Sequence, residues 1–209
     1  MGDGGSEKLG RVYAAKGPDE IARTYDAWAG TYDSEMARVG YRHPSIVLAL
    51  LCRHAPRGAG PVLDAGAGTG LIGEWLRIVG FGPVEGLDIS EGMLAVAGSK
   101  KVYDRLHRAV LGSALPFTDG HFEAVVSAGV FTTGHVGAEA LDELIRITRS
   151  GGALVLTIKD TVWTGGFSDA VAGMAKAGLV DLVEETPPYV SMPGEPDTVP
   201  GRGVVLKVV

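Results

Sequence analysis

Two short segments carry residue types that suit binding of a nucleotide-like ligand. The first, Asp64–Gly70, reads Asp-Ala-Gly-Ala-Gly-Thr-Gly and lies between a short apolar run and a helical pattern. Glycines at such a turn adopt positive φ angles and let a ligand approach the backbone. The N–H groups that open the following helix favour an anionic group. The second segment ends at Asp88, whose carboxylate is suited to accept charge-assisted hydrogen bonds from both hydroxyls of a ribose.

Both segments also have ordinary structural explanations, because a tight strand-to-helix turn needs glycine and an aspartate often caps a helix. As ligand sites, their spacing fits either a nicotinamide nucleotide or S-adenosylmethionine (SAM). The dehydrogenase fingerprint is Gly-x-Gly-x-x-Gly, whereas this turn reads Gly66-x-Gly68-x-Gly70 after Asp64. Asp64 sits where the methionine ammonium of SAM would lie, and NAD offers no ammonium. The pattern therefore favours SAM.

Strands and helices must alternate along the chain to place these two segments side by side. Strand patterns separated by helix-length segments predict right-handed parallel crossovers with helices on both faces of a sheet. The last two strands are joined across Thr186–Arg202 without a helix, which favours an antiparallel hairpin at the sheet edge. The predicted strands are Pro61–Asp64, Pro83–Asp88, Leu106–Leu111, Phe122–Ala128, Ala153–Ile158, Leu179–Glu184 and Gly203–Val209. The predicted helices are Asp19–Arg38, Ser45–Arg53, Leu71–Val79, Glu91–Ser99, Ala138–Thr148 and Ser168–Ala177.

The predicted fold is an α/β, Rossmann-like sheet of seven mostly parallel strands, with an antiparallel C-terminal hairpin strand and an N-terminal helical lid. We expect one domain over residues 1–209, with the lid in residues 1–55 and the ligand-binding core in residues 56–209. Tyr25, Trp28 and Tyr32 fall at i, i+3 and i+7 and share one face of the first helix. Aromatic rings stabilise a cation by ~0.5–2 kcal/mol. The three rings therefore suit a lid over a sulfonium, although plain helix packing gives the same pattern.

The residues described so far resemble the class I SAM-dependent methyltransferases over about Ala22 to Thr157. Asp64–Gly70 resembles their motif I, Asp88–Leu94 their ribose and adenine segment, and Arg149–Leu154 the turn before their fifth strand. A further set of segments is similar to the Williams–Beuren syndrome region methyltransferase-like group. That set comprises Tyr25–Asp33, Tyr41, Pro44 and Gly129–Val136.

The resemblance implies a role for each part of a SAM site. Asp64 and Gly66 hold the methionine end, Asp88 binds the ribose, and Ile89 and Met93 pack on the adenine. Many relatives place an acidic residue opposite the adenine amino group, where this chain has Leu111-Gly112-Ser113. That side-chain acceptor is therefore missing, and the backbone N–H of Gly112 is left to donate to the adenine ring. The predicted cofactor-binding set is Tyr25, Trp28, Tyr32, Asp64, Ala65, Gly66, Gly68, Gly70, Asp88, Ile89, Met93, Leu111, Gly112 and Ser113.

His135 is the candidate general base, because it follows the fourth predicted strand at the sheet edge where acceptors approach. Imidazole titrates near neutral pH and can take a proton from a hydroxyl or an amine. A loop histidine without a chemical role is the alternative. The Cys and His spacing matches no metal site, so no metal is predicted.

The composition narrows the partners that we expect. The net charge is −6 and no long basic run is present, which argues against nucleic acid binding. The sequence contains no run of about 18 apolar residues, so no transmembrane helix is predicted. The single Cys52 fits a reducing cytoplasm. We therefore expect a cytoplasmic enzyme that transfers a methyl group from SAM to a small organic acceptor. The alternatives are a module that holds SAM or S-adenosylhomocysteine (SAH) without turnover, a SAM-dependent enzyme of non-methylating chemistry, and, less favoured, a dehydrogenase. The sequence leaves the oligomeric state open.

Overall fold

A computed structural model of the chain describes residues 8, 10, 12, 15, 17–134, 136–195 and 198–209. Its centre is a seven-stranded sheet of order β3-β2-β1-β4-β5-β7-β6. The strands are β1 (Val62–Ala65), β2 (Val84–Asp88), β3 (Arg105–Arg108), β4 (Phe122–Phe131), β5 (Thr148–Lys159), β6 (Val180–Glu185) and β7 (Gly201–Val208). The first five strands are parallel, and β7 lies antiparallel between β5 and β6. The predicted fold class is confirmed, and the β6–β7 hairpin forms one edge of the sheet with β6 outermost.

Helices cover both faces of this sheet. They are α1 (Pro18–Val39), α2 (His43–His54), α3 (Gly73–Ile78), α4 (Glu91–Ser99), α5 (Ala140–Ile147), α6 (Asp160–Val162) and α7 (Ser168–Lys176). A π-helical segment, Trp163–Phe167, joins α6 to α7. Among the described residues, no helix combines the length and the apolar character needed to cross a membrane.

Alternate strand residues supply the two faces of the core. Val62, Val84 and Val126 face the cluster built with α2 and α3, whereas the neighbouring Leu63 and Val125 face the cluster built with α5 and α7. The strands are buried at successive residues, and continuous burial of this kind requires both sheet faces to be covered. Because the strands are apolar on both sides, they form a rigid support for the loops at their carboxyl ends.

Several predicted boundaries differ from those in the structure. The helix predicted from a Ser45 cap begins at His43, because a proline in the first turn has no N–H to lose. The resemblance implied a turn within Arg149–Leu154, ahead of the fifth strand, yet β5 already begins at Thr148, and Gly151 and Gly152 lie within it. The register against β4 shifts there, and Gly151 has φ +72°, so the glycines form a bulge rather than a chain reversal.

Candidate functional site

A cavity of about 300 Å³ lies at the carboxyl ends of β1, β2 and β4, with α1 forming one wall. The chain order in the sheet reverses between β1 and β4, and ligands of open α/β sheets bind at such a switch point. The predicted site residues that line it are Tyr25, Tyr32, Gly66, Gly68, Asp88, Ile89, Met93 and Leu111. The lining residues that sequence reasoning left out of the site are Gly17, Pro18, Ile21, Leu87, Ala109, Val110, Ala128, Gly129, Val130, Gly134 and Val136.

The glycine-rich turn is held against β2 by its own backbone. The N–H groups of Gly66 and Ala67 both donate to the Leu87 carbonyl, at 2.8 and 2.9 Å. Gly66 has φ +82°, and a Cβ there would collide with the Val130 side chain across the cavity. Glycine is therefore required at this position both by conformation and by space, and the turn presents bare backbone to the cavity.

The Asp88 carboxylate is fixed beside this turn. Its Oδ2 accepts a hydrogen bond from Gly68 N–H at 2.8 Å, and its Oδ1 accepts one from Ser90 N–H at 2.9 Å. Burial raises the pKa of Asp88, although the backbone N–H donors oppose that shift. A carboxylate has about four acceptor sites. Asp88 therefore joins the turn to the start of α4 and can still accept hydrogen bonds from a ligand in the cavity.

An apolar slot adjoins Asp88. Ile89 and Met93 form one part of it, and Ala109, Val110 and Leu111 form another. Met93 is positioned by the N-cap of α4, where the Ser90 hydroxyl accepts the Met93 N–H at 3.0 Å. Gly112 and Ser113, which were predicted to contact the adenine, are exposed and lie outside the described lining. The slot is thus apolar where the sequence predicted a polar contact.

The three aromatic residues of α1 divide between two environments. Tyr25 and Tyr32 line the cavity, whereas Trp28 is only 1% exposed and packs in the core beneath the helix. The Trp28 ring contacts both tyrosines, and its Nε1 donates to Glu35 at 3.0 Å. Trp28 is therefore an anchor for α1, and the two tyrosines are the rings that reach the ligand space.

Asp64 lies behind the turn and not in the cavity lining. Its side chain is 1% exposed, and its Oδ2 accepts a hydrogen bond from the Tyr103 hydroxyl at 2.7 Å. Burial raises its pKa to about 7. Ala65 is buried in the core, and Gly70 packs on the Tyr103 ring. Among the described contacts the Asp64 carboxylate is directed to Tyr103, and its contact with a ligand ammonium stays a prediction.

Two carboxylates that sequence reasoning missed attach α1 to the site. Asp26 accepts hydrogen bonds from Ser90 Oγ at 2.6 Å and from Gly92 N–H at 2.8 Å. Asp33, two turns further on, accepts from the hydroxyl of Thr69 and from Lys100 Nζ, the latter at 2.7 Å. Their spacing of seven places both on one face of the helix, which is the signal that the sequence offered.

We expect Asp26→Ala to loosen α1 without unfolding the sheet. The hydrogen bonds from Ser90 and then Gly92 lower the pKa of Asp26, so its contribution is present at neutral pH and is lost as the pH falls through that lowered pKa. The expected cost is about 1 kcal/mol, together with faster hydrogen exchange in α1. Arg23→Ala, an exposed change on the same helix, is the control. Unchanged exchange in Asp26→Ala would contradict the attachment.

The far wall of the cavity comes from the end of β4. Gly129 N–H donates to Thr157 Oγ1 at 2.8 Å, and a Cβ on Gly129 would collide with the Tyr41 hydroxyl. The wall continues through Val130 to Gly134 and Val136. His135, the predicted general base, lies outside the described residues, so its role stays a prediction.

Comparison with known proteins gives consistent matches. The profile of the methyltransferase domain family matches residues 63–156. Human methyltransferase-like protein 27 is 38% identical over 168 residues, covering 75% of this chain and 67% of the relative. The demethylmenaquinone methyltransferase of Renibacterium salmoninarum is 34% identical over 150 residues, covering 71% of this chain and 62% of that enzyme, which is less than two thirds of its length. The crystal structure of a TehB-like SAM-dependent methyltransferase from Corynebacterium glutamicum superposes with a TM-score of 0.62 at 22% identity, covering 88% of this chain and 98% of that one.

Proposed function

We propose that this chain, which belongs to the class I SAM-dependent methyltransferases and uses SAM as its cofactor, methylates a small organic acceptor. The observation that carries the proposal is the half-buried Asp88 carboxylate, held between the glycine turn and an apolar slot inside one cavity. This combination of donors and acceptors fits an adenosyl group: a carboxylate for vicinal hydroxyls, apolar walls for a base, and backbone N–H groups for a carboxylate.

The residues divide among the parts of the cofactor as follows. Asp88 accepts hydrogen bonds from the ribose hydroxyls, while Ile89, Met93 and Leu111 pack on the adenine. Gly66 and Gly68 border the methionine end, where the turn exposes its backbone. Asp64 acts as a positioning residue: it holds Tyr103, whose ring fills the space under Gly70.

When bound, SAM supplies a methyl group on a positively charged sulfur. The protein contributes orientation and the exclusion of water, which account for much of the acceleration in transfers of this kind. Tyr25 and Tyr32 shield the cavity from solvent, and their ring faces stabilise positive charge. A proton released by the acceptor passes to His135 if the sequence-based prediction of a general base there is right.

A small acceptor is favoured over a macromolecule by two observations. The net charge is −6, and the sequence has no long basic run that could bind a phosphate backbone. In addition, α1 forms one wall of the cavity. The relatives include enzymes named demethylmenaquinone methyltransferases, a name that specifies a small organic acceptor for those proteins. The alternative of a module that binds SAM without turnover predicts binding and no transfer.

The test is transfer of a labelled methyl group from SAM to a cell extract divided into low-molecular-mass, protein and nucleic acid fractions. We expect label in the low-molecular-mass fraction, and we expect His135→Ala to reduce that transfer while leaving SAH affinity, measured by calorimetry, unchanged. His121→Ala, a change in the turn before β4, is the matched control. Label confined to protein or nucleic acid would contradict the small acceptor. Binding of SAH without any transfer would support the module instead.

A further inference from the structure

The carboxylate of Glu139 lies at the solvent end of the apolar slot described above. The slot wall of residues 109–111 continues along the chain into Gly112, which is exposed. A Cβ built on Gly112 would lie 3.8 Å from Glu139 Cγ and 3.9 Å from Glu139 Oε1. The Glu139 side chain therefore covers Gly112, directly beyond the last residue of that wall.

The chain after β4 brings Glu139 to this place. Val136 lines the cavity, and both Val136 and Ala138 pack against the same core cluster as Leu111. The wall that follows β4 and the wall that follows β3 are therefore neighbours, and the contact of Glu139 with Gly112 marks where they meet.

The slot runs from Asp88 toward Glu139. Ala109 N–H donates to the Asp88 carbonyl at 3.1 Å, so the wall of residues 109–111 begins beside the residue proposed to hold the ribose. Gly112 lies at its far end. In an adenosyl group the amino group of the adenine is on the edge of the base away from the ribose. A base that enters the slot from Asp88 therefore presents its amino group to the end that Glu139 covers.

The Glu139 carboxylate keeps acceptor capacity for a ligand. It stands at the N-cap of α5, yet within the part of the chain that the structure describes it neither caps that helix nor forms an ion pair. Its Oε1 accepts the N–H of Gly137 at 3.0 Å. A carboxylate has about four acceptor sites, so this one hydrogen bond leaves room for a donor at the end of the slot.

We propose that Glu139 accepts a hydrogen bond from the adenine amino group of the cofactor and makes the site selective for that base. The inference rests on the proposed function, because it takes the slot as the adenine site of SAM. The slot walls are apolar, so they bind the faces of a base and leave its edge without a partner. An amino group without an acceptor is costly to bury, and a charged acceptor forms the stronger hydrogen bond.

The experiment compares SAH with desamino-SAH, in which hydrogen replaces the amino group of the adenine. Both ligands are titrated by calorimetry onto the wild type, Glu139→Ala and the control Asp142→Ala. Asp142 is exposed on α5, outside the described lining of the cavity. We expect Glu139→Ala to lower the preference for SAH over desamino-SAH at least about fivefold, and Asp142→Ala to keep the wild-type preference.

The preference isolates the proposed contact, because a general loosening of the loop weakens both ligands alike. A wild-type preference in Glu139→Ala would overturn the inference. If a thermal melt shows that Glu139→Ala does not fold, Glu139→Gln takes its place. That variant keeps the length of the side chain and loses its charge, so we expect the preference to fall at least about twofold, and an unchanged preference again counts against the contact.

Failure of the proposed function gives a different result. Absence of SAH binding to the wild type would refute the cofactor site, and this inference with it. A lowered preference in Glu139→Ala, together with no methyl transfer in the labelling assay, would refute the transfer while supporting the contact with the base.

Discussion

Asp88→Asn is expected to weaken SAH binding about a hundredfold while leaving the melting temperature of the free protein within a few degrees of the wild type. The carboxylate presents charged acceptors to the ribose, and an amide keeps only one oxygen, with its NH2 group turned toward the Gly68 or Ser90 N–H. Hydrogen bonds to a charged group are worth about 1.5–3 kcal/mol each, so the loss of one such bond and the weakening of the other to a neutral bond account for the expected factor.

Stability changes little for an independent reason. Burial raises the pKa of Asp88, which means that its charge is unfavourable in the free folded state, and removing the charge offsets the loss of one backbone acceptor. Calorimetric titration and a thermal melt measure the two effects separately. Asp181→Asn, on the exposed edge strand β6, is the control and should alter neither. Asp88→Asn with wild-type affinity would exclude the ribose contact.

Asp64→Asn is expected to change the free energy of unfolding of the free protein in a pH-dependent way. Its effect above pH 7 should be about 3–4 kcal/mol more stabilising than its effect near pH 4. The pKa of Asp64 is raised by burial from 3.8 to about 7. The unfolded chain therefore loses this proton at lower pH than the folded chain, and the stability of the wild type falls as the pH rises between about 4 and 7. Asparagine has no proton to lose, and its oxygen can still accept from the Tyr103 hydroxyl.

The measurement is urea unfolding of both proteins across this pH range, plotted as variant minus wild type. The difference removes other titrations, including that of His43, whose pKa is lowered by burial to about 3 and which acts in the opposite direction. We expect the difference to rise from about pH 4 to about pH 7 and to be flat above that range. A flat difference throughout would show that Asp64 keeps an ordinary pKa.

The parts of the site that the sequence predicted are those set by local chain geometry. The turn at Gly66 and Gly68 and the carboxylate of Asp88 each depend on a strand end and the residues next to it, so their types and spacing sufficed. The alternation of short apolar runs with helix-length segments likewise predicted the parallel sheet, because each run and each helical period is a local property of the chain.

The parts that it did not predict depend on distant partners. Nothing near Asp64 indicates that Tyr103 will satisfy its carboxylate across the space below the turn. Three aromatic residues share a face of α1, but only the docking of that helix decides that Trp28 is buried and the tyrosines are not. The contact of Asp26 with Ser90 also joins segments far apart in the chain, and its residue types occur on any exposed helix face.

The crystal structure of the SAH complex tests the central claim most directly. The account predicts both ribose hydroxyls within about 2.5–3.0 Å of the Asp88 carboxylate oxygens, with the adenine between Met93 and Leu111. A nucleoside bound in another crevice, or bound here with its ribose turned away from Asp88, would contradict it.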